Sequence, residues 1–153
     1  MEKHDSKVET LEHIKRVNDL FGIFIKELID RAKKHDDSKL KEPEKSILDK
    51  EGIHLKKLTY GSNEYKDSLE RLKPALDHHY SKNSHHPQHY ENGINGMDLF
   101  DLVEMALDWK ASSERQDNGN IYEGVMKNAI RFKMNGQIAD IFKNTFKKMG
   151  FNK

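Results

Sequence analysis

The stretch Ser6–Lys34, SKVETLEHIKRVNDLFGIFIKELIDRAKK, decides the fold class. Val8, Leu11, Ile14, Val17, Phe21, Phe24, Ile25 and Leu28 recur at three- and four-residue steps, the repeat of one helical face. A strand would need alternation with period two, which the stretch lacks. It reads as a long amphipathic helix with one buried apolar stripe. Ser6 and Glu9 stand at capping-box spacing at its start. The helix is expected to end near His35-Asp36-Asp37-Ser38.

The same reading extends along the chain. Pro43, a good first-turn residue, opens a short helix to about Lys50. Gly52 and Tyr60-Gly61-Ser62 bracket a loop or a second short element. From Asn63 to Tyr80 the pattern is helical again, with Tyr65, Leu69, Leu72, Leu76 and His79 on one face. Pro74 lacks an amide hydrogen, so a kink or break is expected near Lys73. Residues 81–96 are dense in Ser, Asn, Pro and Gly and read as a loop. Asp98 caps a further helix that runs to about Arg115. After the turn Asp117-Asn118-Gly119-Asn120, two tail helices cover about Ile121–Met134 and Gln137–Met149. Their Phe132, Met134, Phe142, Phe146 and Met149 read as core. The expectation is an all-α fold, one domain over residues 1–153, built as a bundle of five to seven helices.

Composition narrows the function classes. The 153 residues carry 27 Lys+Arg and 26 Asp+Glu, a net charge of +1, so no strong nucleic-acid signal is present. Without cysteine there is no disulfide scaffold, thiolate zinc site or thiol nucleophile, which fits a cytoplasmic protein. No apolar run approaches the about 20 residues of a membrane span, and the charged N-terminus lacks a signal-peptide core. The chain has no glycine-rich phosphate loop and no GxSxG elbow. Its outlying feature is nine histidines, five of them between His78 and His89.

His35-Asp36 places an imidazole beside a carboxylate at a helix end, a pair that suits one metal shell. His13 lies at the edge of the first apolar stripe, His35 projects near the same side, and His79 continues the stripe of its own helix. Asp101, Glu104 and Asp108 form an acidic line at three- and four-residue spacing. Asp108 sits among Ala106, Leu107 and Trp109, where a carboxylate is costly unless paired or bound to metal. A single inward histidine is more often a hydrogen-bonded core residue than a ligand, and His78 and His89 read equally well as solvent-exposed. It is the joint pattern that favours a metal site.

The order His13, His35-Asp36, His79, His85-His86, Asp108 resembles the HD-domain superfamily of metal-dependent phosphohydrolases. Its local motifs look most like the HD-GYP branch. The pair with a following lysine reads His35-Asp36-Asp37-Ser38-Lys39, where that branch has His-Asp-x-Gly-Lys. The His-His stretch reads His85-His86-Pro87-Gln88-His89-Tyr90, with proline where the branch has glutamate and no Gly-Tyr-Pro triplet after it. The last aspartate lies in Ala106-Leu107-Asp108-Trp109-Lys110-Ala111, with Arg115 beyond. Taken whole, the chain is also similar to a bacterial and phage family of small proteins without an established activity. They share His-Asp-x-Ser-Lys, Asn-Ser-His-His-Pro-x-His-Tyr and Asp-Trp-Lys-Ala.

The resemblance implies a helical bundle with a core metal site. The implied ligands are His13, His35, Asp36, His79, His85, His86 and Asp108, holding one or two ions of Mn, Fe, Ni, Co or Zn. It implies hydrolysis of a nucleotide or other small phosphate ester, with Asp36 and Lys39 catalytic. Lys39 and Arg115 would bind the substrate phosphate, and Asp37 or Glu104 would orient a ligand histidine. Two alternatives stand beside it: a di-iron oxygenase of the same fold, and a module that binds metal, nucleotide or a partner without turnover. The setting is the cytoplasm of a bacterial or phage-infected cell, with a homodimer through the tail helices possible.

Overall fold

The computed structural model describes residues 5–55, 58, 62–115 and 118–152, with the side chains of 53–55 left aside. The expected Tyr60-Gly61 turn and Asp117 lie outside these residues. The fold is all-α. Among the described residues there are six α-helices and three short 3-10 turns, with no strand. They divide into two compact units, Met1–His35 and Asp36–Lys153.

The first unit is the long helix α1, Lys7–Lys34. Glu9 near its start and Arg31, Lys33 and Lys34 at its end complement the helix dipole. Lys26 and Lys33 reach Asp30 at 3.9 and 3.6 Å. Two details differ from the sequence reading. Ser6 is helical in its own backbone and its side chain caps nothing; its carbonyl accepts from Thr10 Oγ1 instead. None of the helix is fully buried: Val17, Phe24 and Leu28 of its apolar stripe are partly buried and the rest of the stripe is exposed.

The second unit begins with a 3-10 turn, Asp37–Leu40, then α2, Glu44–Leu55, and α3, Asn63–Lys82. Gly52 lies within α2 rather than ending it. Ser62 caps α3 through its hydroxyl, which accepts from the Tyr65 amide at 3.1 Å. Helix α3 runs through Pro74 as one element. Its buried residues are Ser68, Leu72, Ala75 and His79, whereas Leu69 is exposed. The buried face is thus turned by about one residue from the expected one. The cause is α2: buried Glu51 accepts from Ser68 Oγ at 3.2 Å and pairs with Arg71 Nε at 2.9 Å. A serine with a buried acceptor opposite takes a core position that apolar spacing alone assigns to leucine.

Residues after α3 form two 3-10 turns, Pro87–His89 and Gly93–Gly96, and then α4, Leu99–Glu114. Asp98 and Asp101 make a reciprocal capping box at the start of α4. Helices α5, Ile121–Arg131, and α6, Gly136–Lys148, are capped by Asn120 and Asn135. Met105 and Ala106 of α4, Ile121 and Val125 of α5, and Ala139, Phe142 and Phe146 of α6 form the apolar core with Met134 and Ile94. Burying each large side chain contributes about 1.5–3 kcal/mol. Phe132 is partly buried and Met149 is half exposed, so the tail's aromatic run is only in part core. No described helix is long and apolar enough to cross a membrane.

Candidate metal centre

Four parts of the second unit bring polar side chains to one place: the turn at Asp36–Leu40, the start of α2, the end of α3 with its following segment, and the middle of α4. Asp36 is in the left-handed region, φ 59° and ψ 14°, a conformation aspartate adopts more readily than bulky residues. The Lys39 amide closes the turn on the Asp36 carbonyl at 2.9 Å. Lys39 Nζ lies 2.6 Å from Asp36 Oδ2. The other oxygen, Oδ1, is buried and faces His79 Nε2 at 3.3 Å and His85 Nε2 at 3.6 Å. His79 Nε2 also lies 2.9 Å from His86 Nε2. One atom each from Asp36, His79, His85 and His86 falls within 4.8 Å of all the others.

The far nitrogens of two of these rings are fixed by carboxylates. His79 Nδ1 lies 3.0 Å from Glu44 Oε2, an oxygen that can only accept when the carboxylate is ionised, and His85 Nδ1 lies 3.0 Å from Glu104 Oε1. Metal binding requires the neutral ring, and a proton held on Nδ1 then leaves Nε2 as its lone-pair nitrogen. In that form His79 and His85 present Nε2 lone pairs toward Asp36 Oδ1, acceptor facing acceptor. A cation among them satisfies all three, which is the chemistry of a mixed imidazole and carboxylate metal shell. Burial is the main cause that pushes the His86 imidazole down to about 3, so this ring is neutral at physiological pH.

Glu44 is fully buried at the first residue of α2, where the helix dipole favours its charge. Burial works against the carboxylate, but hydrogen bonds from His78, Ser38 and His79 outweigh it and hold the group below its ordinary value. His78 Nδ1 donates to Oε1 at 2.7 Å and Ser38 Oγ to Oε2 at 3.0 Å. Asn83 Nδ2 donates to Ser38 Oγ and to the His79 carbonyl, both at 2.8 Å, joining the 3-10 turn to the end of α3.

The acidic line on α4 divides into three tasks. Buried Asp101 accepts from Ser84 Oγ at 2.6 Å, Tyr90 Oη at 2.5 Å and the Asp98 amide at 3.1 Å, so it anchors both ends of the histidine segment to α4. Glu104 serves His85. Asp108 is partly buried, and its charge acts on His86.

Asp36, His79, His85 and His86, all expected as ligands, are thus brought together, with Lys39 on the Asp36 carboxylate and Asp108 near His86. His35, partly buried, ends α1 and precedes Asp36 by one peptide bond. His13 does not point into a core: it is an exposed residue of α1 and belongs to no group of ligand atoms among the described residues. Arg115 lies at the C-terminal end of α4, exposed, and its Nη2 donates to Ser112 Oγ at 2.8 Å within its own helix. Of the two orienting carboxylates considered, Glu104 is in place on His85. Exposed Asp37 begins the 3-10 turn. Glu44, Ser38 and Asn83 were given no role in the sequence reading. Their signal was faint: Glu44 follows Pro43 at a helix start, where an acid reads as a dipole partner.

No curated protein and no solved structure matches the chain. A family model does, and it spans residues 2–148, which takes in every residue of the cluster. The chain belongs to that family, DUF5662, described as a family of unknown function.

Proposed function

We propose that Asp36, His79, His85 and His86 hold a divalent transition metal, and that the protein is a metal-dependent phosphohydrolase acting on a nucleotide or another small phosphate ester in the cytoplasm. The observation that carries this reading is the convergence of four ligand atoms within 4.8 Å, on rings whose outer nitrogens are held by Glu44 and Glu104. A bound divalent ion lowers the pKa of its water and polarises a phosphoryl oxygen. The protein's own residues supply the rest. Glu44 and Glu104 fix ring orientation and tautomer. Lys39, two-fifths exposed and 2.6 Å from Asp36, is a cation that can meet a phosphate. Asp108, whose charge acts on His86, adds a carboxylate that could serve a second ion.

A binding module without turnover is the second reading. The 2.6 Å bridge from Lys39 to Asp36 favours it, because that lysine is already engaged. Purified protein supplied with Mn, Co, Ni, Fe or Zn is assayed against p-nitrophenyl phosphate, its bis ester and a set of mononucleotides. Metal-dependent release of phosphate or nitrophenol, lost in Asp36→Ala, supports the hydrolase. Metal retention with no turnover of any ester supports the module.

A further inference from the structure

A second feature of the same unit lies outside the ligand cluster. The loop after the histidine pair and the turn between α5 and α6 enclose a cleft of about 510 Å³, within the size range of small-ligand sites. None of the four clustered ligands lines it. Its cations are Arg131 and Lys133, against the single carboxylate of Glu91. Among the described residues neither cation forms an ion pair. The Arg131 guanidinium lies 4.8 Å over the Phe132 ring, and Phe132 stacks on Trp109 at 7°. Contact with a ring uses the face of a guanidinium and leaves its edge N–H groups for an oxyanion. Lys133 is in the left-handed region at φ 50°, a conformation glycine or asparagine adopts at lower cost. A lysine in that place is a strained choice beside a cleft with an excess of positive charge. Ile94 and Ile138 supply an apolar wall.

We infer that this cleft binds a small organic phosphate of mononucleotide size, its phosphate on Arg131 and Lys133 and its organic part against the apolar wall. The inference is independent of the metal reading.

The test is titration of the full chain with AMP and, separately, with inorganic phosphate, in EDTA, followed by calorimetry or amide chemical shifts. AMP is expected to saturate a single site at least about tenfold tighter than phosphate. Arg131→Ala and Lys133→Asn should each weaken it by about tenfold or more, the scale of one charge-assisted hydrogen bond. Asparagine suits the left-handed backbone, so Lys133→Asn should keep its melting temperature and separate lost binding from lost folding. Lys143→Ala, at a cation of α6 outside the cleft, should bind AMP as the parent does. No saturable binding, equal affinity for phosphate and AMP, parent-like affinity in both cleft variants, or an equal loss of binding in Lys143→Ala would each overturn the inference.

Discussion

Replacing Glu44 by glutamine changes one oxygen to an amide nitrogen and leaves the shape of a fully buried residue intact. The carboxylate it removes receives three hydrogen bonds, from His78, His79 and Ser38, at 2.7 to 3.0 Å. Two consequences follow. The first concerns the His79 ring. An ionised acceptor opposite Nδ1 commits the proton there and the lone pair to Nε2, 3.3 Å from Asp36 Oδ1. An amide offers one acceptor and one donor, so the same ring is no longer committed. Loss of such an orienting partner costs 10–100-fold in metal affinity, or about 1.4–2.7 kcal/mol. The second concerns stability. Each hydrogen bond to a charged group contributes about 1.5–3 kcal/mol, of which the neutral amide keeps a part. Glu44→Gln is therefore expected to fold with a lower melting temperature and to bind Mn²⁺ or Zn²⁺ at least about tenfold more weakly in a competition titration. Affinity within twofold of the parent, in a folded variant, would refute the assignment of Glu44 as the group that orients His79.

Two further predictions concern the segment that carries His85 and His86. Burial, then the hydrogen bond to Asp101, raises the Tyr90 phenol from 10.0 to about 12. Above pH 10 the unfolded chain ionises this tyrosine and the folded chain does not, so its contribution is complete below pH 10 and is lost as pH rises through about 12. Ultraviolet titration should show one late phenolate step that disappears in Tyr90→Phe; identical curves would remove the Tyr90–Asp101 anchor from the account. Gly96→Ala would set a methyl group against Asn92 Oδ1 and 2.7 Å from Tyr90 Cβ. Overpacking of this kind costs about 1–3 kcal/mol, so its melting temperature should fall, and an unchanged one would show that the loop yields freely.

How far the sequence speaks depends on how local the cause is. Helix α4 was legible almost to the residue because Asp98 is both cap and boundary, and both properties are written in adjacent positions. Helix α3 was legible as a helix, but its proline did not break it and its buried face was misplaced. That face is set by Ser68 meeting Glu51, two polar residues from different helices whose pairing no periodicity reveals. The same division runs through the candidate site. Asp36, His79, His85 and His86 stood out because histidine is scarce elsewhere and clustered here. His13 was drawn in by an apolar stripe that is exposed around it. Glu44 was missed because a glutamate at a helix start has an ordinary explanation, and only the approach of α3 gives it another.

Elemental analysis of the untagged protein beside its Asp36→Ala variant tests the metal centre most directly. The account predicts one or two equivalents of Mn, Fe, Ni, Co or Zn in the parent and their loss in a folded variant. A parent that contains no such metal, and takes up none when titrated with each in turn, would contradict it.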